Sequence, residues 1–406
     1  MAFLSGRAKF AKNPIAEVHK EAERLARAGR KVLRLDTGDP AVYFKTPKYI
    51  IDAYVEALKE GMTNYSRAEG SNELVEAVSR RYARMYGTSF GPDDVIVTAG
   101  LSEAFFFLNN ALIDRGDSAL LLRPYYPPYY VYLKIHYGIE LLADYDEERG
   151  WDIDIDGIKA ALSRNGKKHR VKYMIVTNPN NPTGTVMSRD TLSEIVDIAN
   201  EHGIFLISDE IYDEMIFGGV KFTSMCNLAR GVPHMIWNGA SKNFDSTGFR
   251  VGFVIVPEQD AVSVQVKDAF ANYAVSRLCI NTPAQHAVAV AMNRVAEHRR
   301  AIGSMVREIE DRVRYAERRL NESQYLSVAK PRGAFYLFPK VDLKATRFKS
   351  DNDFVMSLLN DTGVQIRSGT AFGSPGHFRM VSLAPKEILS QAIDKINTFC
   401  ETKAKR

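Results

Sequence analysis

The chain has 406 residues, 45% hydrophobic and 25% charged, a composition that excludes disordered and membrane-embedded classes and leaves room for two or three globular domains. Its 54 basic and 49 acidic residues leave a net charge of only +5. Short basic runs such as Lys167, Lys168, His169, Arg170, or His298, Arg299, Arg300, are therefore read as solvated faces, not as a nucleic-acid surface.

The first residues, MAFLSGRAKF, hold no apolar leader core, and no stretch reaches the roughly eighteen apolar residues of a membrane span, so a cytoplasmic location is expected. Residues 13–29 place Ile15, Val18, Ala22 and Leu25 at helical spacing and stop at Gly29, which predicts an amphipathic helix. From about 94, short apolar runs alternate with helical patterns: DVIVTAG, a helix over about 102–114, SALLLRP, VKYMIVT, a helix over about 189–202, IFLISDE, HMIWNG and VGFVIV. Continuous apolar runs separated by helices are what a parallel sheet covered on both faces requires, so an α/β core is predicted. Residues 287–322 predict a long linking helix. The tail, with GAFYLFPKV, VQIRSG, HFRMVSLA and a closing helix over about 386–402, reads as a smaller α+β domain. Cys226, Cys279 and Cys400 share no metal or CxxC spacing and are expected to be reduced thiols.

Ligands of open α/β sheets bind beyond the carboxyl ends of the strands, so the residues there carry the functional question. DVIVT runs into Ala99, Gly100, Leu101 and Ser102 and then a helix, a place to hold a phosphate, or else an ordinary turn with Ser102 as N-cap. VKYMIVT ends in NPNNPTG, where stiff prolines either aim the amides of Asn178, Asn180 and Asn181 or merely build a turn. IFLIS ends in Asp209 and Glu210, with Tyr212 just beyond; a buried carboxylate there needs a cation, either a ligand or a structural arginine. HMIWNG delivers Lys242, with Arg250 eight residues on. A half-buried, cation-flanked lysine is a candidate nucleophile toward a carbonyl; an exposed structural lysine is the bland alternative.

With NPNNPTG, SDEIYDE and SKNFDSTGFRVG in this order, the chain from about Gly38 to Ala384 resembles the class I/II aminotransferases, pyridoxal 5'-phosphate enzymes of fold type I. The resemblance implies a mainly parallel sheet sandwiched by helices and a smaller α+β domain built from both chain ends. It places an N-terminal arm and part of the small domain at 1–48, the large cofactor-binding domain at 49–290 and the small C-terminal domain at 291–406. It implies that Lys242 bonds the cofactor's aldehyde and shuttles the proton, that Asp209 pairs with the ring nitrogen, and that Asn181 and Tyr212 meet its phenolic oxygen. Gly100, Leu101, Ser102 and Arg250 would cup the phosphate, Tyr126 would stack on the ring, and Tyr65 would reach the phosphate of a partner subunit in a homodimer. Gly38, Asn181 and Arg379 would hold the substrate carboxylate. No metal site is implied. Two departures stand out: Gly239 occupies the place of a phosphate-binding hydroxyl, which leaves Ser241 or Ser102 to supply it. Ser276, with Arg277 one place out of register, stands where one subgroup carries an arginine for a distal carboxylate.

The stretches GDPAVYFKTPKYI and GWDIDIDGI are similar to those of alanine-type members, which favours a small amino acid as donor and 2-oxoglutarate as acceptor in a ping-pong reaction, with aspartate next. A C–S β-lyase shares every cofactor residue named and is the alternative. A pyridoxal-dependent regulator carries a winged-helix domain ahead of this part, for which the residues before Thr37 are expected to be too few.

Overall fold

The computed structural model describes residues 3–10, 16–165 and 168–405. Ile15, counted on the first helix, and Lys167 of the basic run lie outside them; that helix is described over Ala16–Arg27. Eight strands make the central sheet, in the order Val95–Ala99, Val251–Ile255, His234–Gly239, Phe205–Asp209, Val171–Thr177, Ser118–Arg123, Ile139–Asp146, Asp152–Ile153. The pairings from His234–Gly239 through Ile139–Asp146 are all parallel. Alternate residues of each strand feed opposite faces, as the period of a β-strand dictates. Met174, Val176 and Ile236 enter one core, and Tyr173, Ile175, Ile207 and Trp237 enter the other. Both faces are thus buried, which is why these strands are continuously apolar.

Three features depart from the sequence-based expectation. Val251–Ile255 runs antiparallel to both of its neighbours; only residues 240–250 separate it from His234–Gly239, too little chain for a parallel crossover with its own helix. Ile139–Asp146 and the short Asp152–Ile153 are strands the apolar pattern did not announce. They close one edge of the sheet, where Glu140, Asp144 and Asp146 are tolerated on partly exposed positions. The long linking helix is two helices, Thr282–Asn293 and Val295–Asn321, parted at Arg294 with ψ 61°.

A second body joins both ends of the described chain. Leu33–Arg34 pairs in parallel with Val364–Gln365, while Tyr336–Leu337 and Arg367–Ser368 flank Phe378–Val381 in antiparallel register. Leu33, Leu35, Phe354, Phe378 and Ile393 share its core, covered by the helices Asp351–Thr362 and Lys386–Ala404. The three cysteines are free, and no helix among the described residues is long and apolar enough to cross a membrane.

The turn at the end of Val95–Ala99 is seated directly on the neighbouring strand: a Cβ added to Gly252 would lie 2.7 Å from the carbonyl carbon of Gly100 and 2.9 Å from the nitrogen of Leu101. Backbone on both sides cannot yield as a side chain would. Gly252→Ala is therefore expected to destabilise the protein by about 1–3 kcal/mol in urea unfolding, and an unchanged midpoint would contradict this contact.

Candidate active site

The carboxyl ends of the parallel strands open into a cavity of about 690 Å³, lined by Gly38, Leu101, Ser102, Tyr126, Asn181, Asp209, Tyr212, Ser241, Lys242, Arg250 and Arg379. Of the residues singled out from sequence, Tyr65 stands apart, 76% exposed on the surface, and Gly100 contributes backbone just behind Leu101.

Asp209 ends its strand fully inside the protein. Tyr129 donates its hydroxyl proton to Oδ2 at 2.7 Å and the Ile211 amide donates to Oδ1 at 3.2 Å, but no lysine, arginine or histidine of the described residues forms an ion pair with it. The structural-arginine alternative is thereby removed. Burial pushes its pKa up to about 6, against the two hydrogen bonds and the attraction of Lys242. The adjacent Glu210 points the other way, accepting from Ser208, Ser224 and the Met225 amide, and burial raises it to about 8.

Lys242 sits on the short helix Ala240–Asn243 that follows the strand ending at Gly239. The next two residues anchor it. Asn243 donates to Asp213 Oδ1 at 2.5 Å, and Asp213 is also bound by Arg81 at 2.9 Å and by the Tyr86 hydroxyl. Phe244 stacks on His298 of the helix Val295–Asn321 with centroids 4.3 Å apart, and His298 in turn meets Glu214 at 3.0 Å. Thus fixed, Lys242 Nζ points into the cavity and donates to the carbonyl of Gly38 at 2.6 Å. Burial pushes its pKa down to about 8; Asp39 opposes that shift, while Arg379 and Arg250 add to it.

The helix Leu101–Leu112 starts beside it. Its N-cap is Gly100 at φ 65°, so Ser102 is not the cap, and its hydroxyl is left for the cavity. Glu103 reaches back to accept from the Ala99 amide at 2.8 Å. Arg250, itself at φ 56°, donates to the carbonyls of Thr247 at 2.9 Å and Ala99 at 3.4 Å. A Cβ on Gly100 would lie 2.2 Å from its Nη2, so only glycine lets the guanidinium lie against the helix terminus, where free amides and the dipole favour an anion. Gly239 is explained in the same way: a Cβ there would come within 2.9 Å of the Gly252 Cα and the Val251 carbonyl. The hydroxyls at this end of the cavity are those of Ser102, Ser241 and Thr247.

In the NPNNPTG loop two amides serve the loop itself. Asn178 Oδ1 accepts from the Met187 amide and Asn180 Oδ1 from Thr183, at 3.1 Å each. Asn181 faces the cavity and accepts from Arg379 Nη1 at 3.0 Å. Arg379 also donates to the Asp36 carbonyl at 2.6 Å, while its buried Nε has no partner. Tyr212 and Tyr336 share a hydrogen bond of 2.7 Å between hydroxyls. Ser276 and Arg277 do not line the cavity. Ser276 bonds the Asn272 carbonyl of its own helix, and Arg277 is spent on the carbonyls of Ala68, Val97 and Leu278 and on Glu103.

Residues 30–396 match the model of the family described as aminotransferase class I and II. The chain belongs to that family. It is 33% identical to the alanine aminotransferase of Mycobacterium tuberculosis over 94% of its own length and 88% of that protein's. It is 31% identical to the glutamate-pyruvate aminotransferase AlaA of Escherichia coli, covering 94% and 93% of the two chains. Among solved structures, the alanine aminotransferase of Pyrococcus furiosus superposes with a TM-score of 0.93 at 38% identity, over 98% of this chain and all of that one (100%). The Thermus thermophilus aspartate aminotransferase with maleate gives 0.88 at 30% identity, over 98% and 100%. The aminotransferase is thus of fold type I and depends on pyridoxal 5'-phosphate.

The cavity fits that cofactor on its own chemistry: a buried carboxylate without a cation at one end, an amine in the middle, and a helix N-terminus with a guanidinium at the other. Sequence reasoning missed several of the aminotransferase's cavity residues, among them Tyr129, Tyr336, Asp36 and Arg367. Tyr129 lies in the same RPYYPPYY run as Tyr126, and one helical turn of spacing was its signal. The others sit in short strands and loops of the second body, where nothing local marks a direction.

A neutral amine is the nucleophile, so the lowered pKa of Lys242 has a measurable sign. In cofactor-free aminotransferase, labelling of Lys242 by trinitrobenzenesulfonate should rise with pH through a midpoint at about 8 and reach its plateau before ordinary lysines react fully. Peptide mapping that showed Lys242 still accelerating through pH 10 would contradict the buried setting.

Proposed function

We propose that the enzyme moves the amino group of alanine, or a related small amino acid, to 2-oxoglutarate, with aspartate the next donor. The observation that carries this reading is the convergence on one cavity of the unpaired Asp209, the amine of Lys242 and the guanidinium of Arg379. The alanine and glutamate-pyruvate names of the relatives support the substrate pair.

Bound pyridoxal 5'-phosphate supplies an electron sink next to the substrate α-carbon. Asp209 holds a proton on the ring nitrogen, and Tyr129 keeps the carboxylate turned toward it. Asn181 and Tyr212 hold the phenolic edge, Tyr126 covers a ring face, and Gly100, Leu101, Ser102, Ser241 and Arg250 grip the phosphate. Lys242 would hold the cofactor through its amine, and the same amine, when free and neutral, would take the substrate α-proton and return it as a general acid. Arg379, with Asn181 and the backbone of Gly38, grips the α-carboxylate and so orients the bond to be broken. One binding site serves donor and acceptor in turn, so the product oxo acid leaves before the second oxo acid enters, in ping-pong order. Tyr65 is assigned to the phosphate of a partner subunit in a homodimer; Ile51, Val55 and Leu58, exposed at helical spacing on Lys48–Lys59, are apolar surface suited to such an interface.

A donor panel against 2-oxoglutarate and pyruvate tests the assignment: alanine with 2-oxoglutarate should give the highest kcat/KM and parallel double-reciprocal lines. Higher turnover of cysteine to pyruvate and ammonia would replace it with the lyase reaction. In the same assay Asp209→Asn should lower kcat on the order of 100-fold or more, and wild-type kcat in that variant would remove the electron-sink role. Light scattering should give twice the chain mass of 45.6 kDa; a monomer with full activity would dismiss the role of Tyr65.

A further inference from the structure

Besides Arg250 and Arg379 the cavity is lined by a third arginine, Arg367, that the roles above leave unused. Arg367 and Arg379 are direct cross-strand partners in the antiparallel pair of Arg367–Ser368 with Phe378–Val381, so both side chains leave the same face of that sheet, and both line the cavity. Like charges placed opposite each other are unfavourable unless each finds compensation. Among the described residues Asp36 supplies it for Arg367, its Oδ2 lying 2.7 Å from Nη2, whereas Arg379 donates to the Asp36 carbonyl at 2.6 Å and to Asn181 Oδ1 at 3.0 Å. Gln365 donates to the same Oδ2 at 3.1 Å and so fixes the carboxylate. The Asp36 carboxylate thus serves Arg367 alone, Arg379 keeps only neutral oxygen acceptors, and Arg367 Nη1 makes no hydrogen bond among the described residues. Arg379 therefore lacks an anionic partner, and Arg367 beside it keeps an unused donor edge, so the pair offers adjacent places for two carboxylate groups of one ligand.

We propose that Arg367 is the specificity residue for the second carboxylate of a five-carbon dicarboxylic substrate, glutamate or 2-oxoglutarate, with Arg379 holding the first. The proposal rests on the aminotransferase reading above and deepens it. The same pocket must accept alanine, which has no distal carboxylate, and glutamate, which has one. Asp36 resolves that conflict: it keeps Arg367 compensated when a small substrate is bound and leaves the Nη1 edge of the fork open for the longer one. The consumed positions of Arg277 point the same way, since that side chain is tied to backbone carbonyls and Glu103 in its own chain.

The test uses the holoenzyme in separate half-reactions, with Arg367→Met and Arg367→Lys beside the wild type. The ratio of kcat/KM for glutamate to that for alanine should fall on the order of 10- to 100-fold in Arg367→Met, with Arg367→Lys between, since it keeps a charge for Asp36 but loses the fork. A ratio unchanged in both variants, even with both rates lowered, would overturn the proposal and leave Arg367 a support for Arg379. Calorimetry on the cofactor-free protein adds a readout independent of turnover: glutarate should bind more tightly than butyrate to the wild type, and Arg367→Met should abolish the preference. A preference surviving in that variant overturns the proposal. A wild type that binds glutarate through Arg367 yet transaminates neither amino acid would instead defeat the proposed reaction and leave the dicarboxylate site standing.

Discussion

A carboxylate enclosed at the end of a central strand has to be compensated, and among the described residues no cationic side chain forms an ion pair with Asp209. Two hydrogen bonds, from Tyr129 and the Ile211 amide, hold it without neutralising it. The remaining compensation comes from Lys242 across the cavity and from whatever cation the cavity admits. In the proposed assignment the protonated ring of pyridoxal 5'-phosphate would meet this requirement and couple folding to cofactor binding at one residue. An unpaired buried charge costs stability in the empty protein, and that cost is returned when the cofactor binds.

The same economy of charge organises the rest of the site. The amine of Lys242 is kept weakly basic by burial and by two guanidinium groups, Arg379 and Arg250, the same groups proposed above for the carboxylate and phosphate ends of the ligands. Its direction is set from behind by a buried polar network, Asn243 to Asp213 to Arg81, and by the stacking of Phe244 on His298. That network ties the lysine to Val295–Asn321, the helix that carries the chain into the second body. A displacement of one body relative to the other would therefore reach the amine of Lys242 through packed contacts, and the cavity wall formed by Gly38, Arg367 and Arg379 directly.

Glycine is used where two pieces of backbone must touch. Gly100, Gly239 and Gly252 lie together where the antiparallel strand Val251–Ile255 is wedged between its neighbours, and side chains there would collide with backbone or with Arg250. The missing hydroxyl at Gly239 is thus a packing consequence of that close approach, and the neighbouring serines stand at the cavity in its stead.

The sequence by itself determined the class of fold through its continuous apolar strands, and the family and cofactor through the resemblance of NPNNPTG, SDEIYDE and SKNFDSTGFRVG at the ends of those strands. Strand ends are legible since burial on both faces writes a local pattern. Tertiary structure alone decided the reversed direction of Val251–Ile255, the exposed-edge strands over 139–153, and the break at Arg294. It also decided which amides of the asparagine loop turn inward, that Ser102 is free of capping, and that Arg277 is consumed while Arg367 is not. The physical reason is common to these cases: a side chain's direction and its spare hydrogen-bonding capacity depend on partners far away in the chain. Asp36 meets Arg367 only after Leu33–Arg34 and Val364–Gln365 have paired.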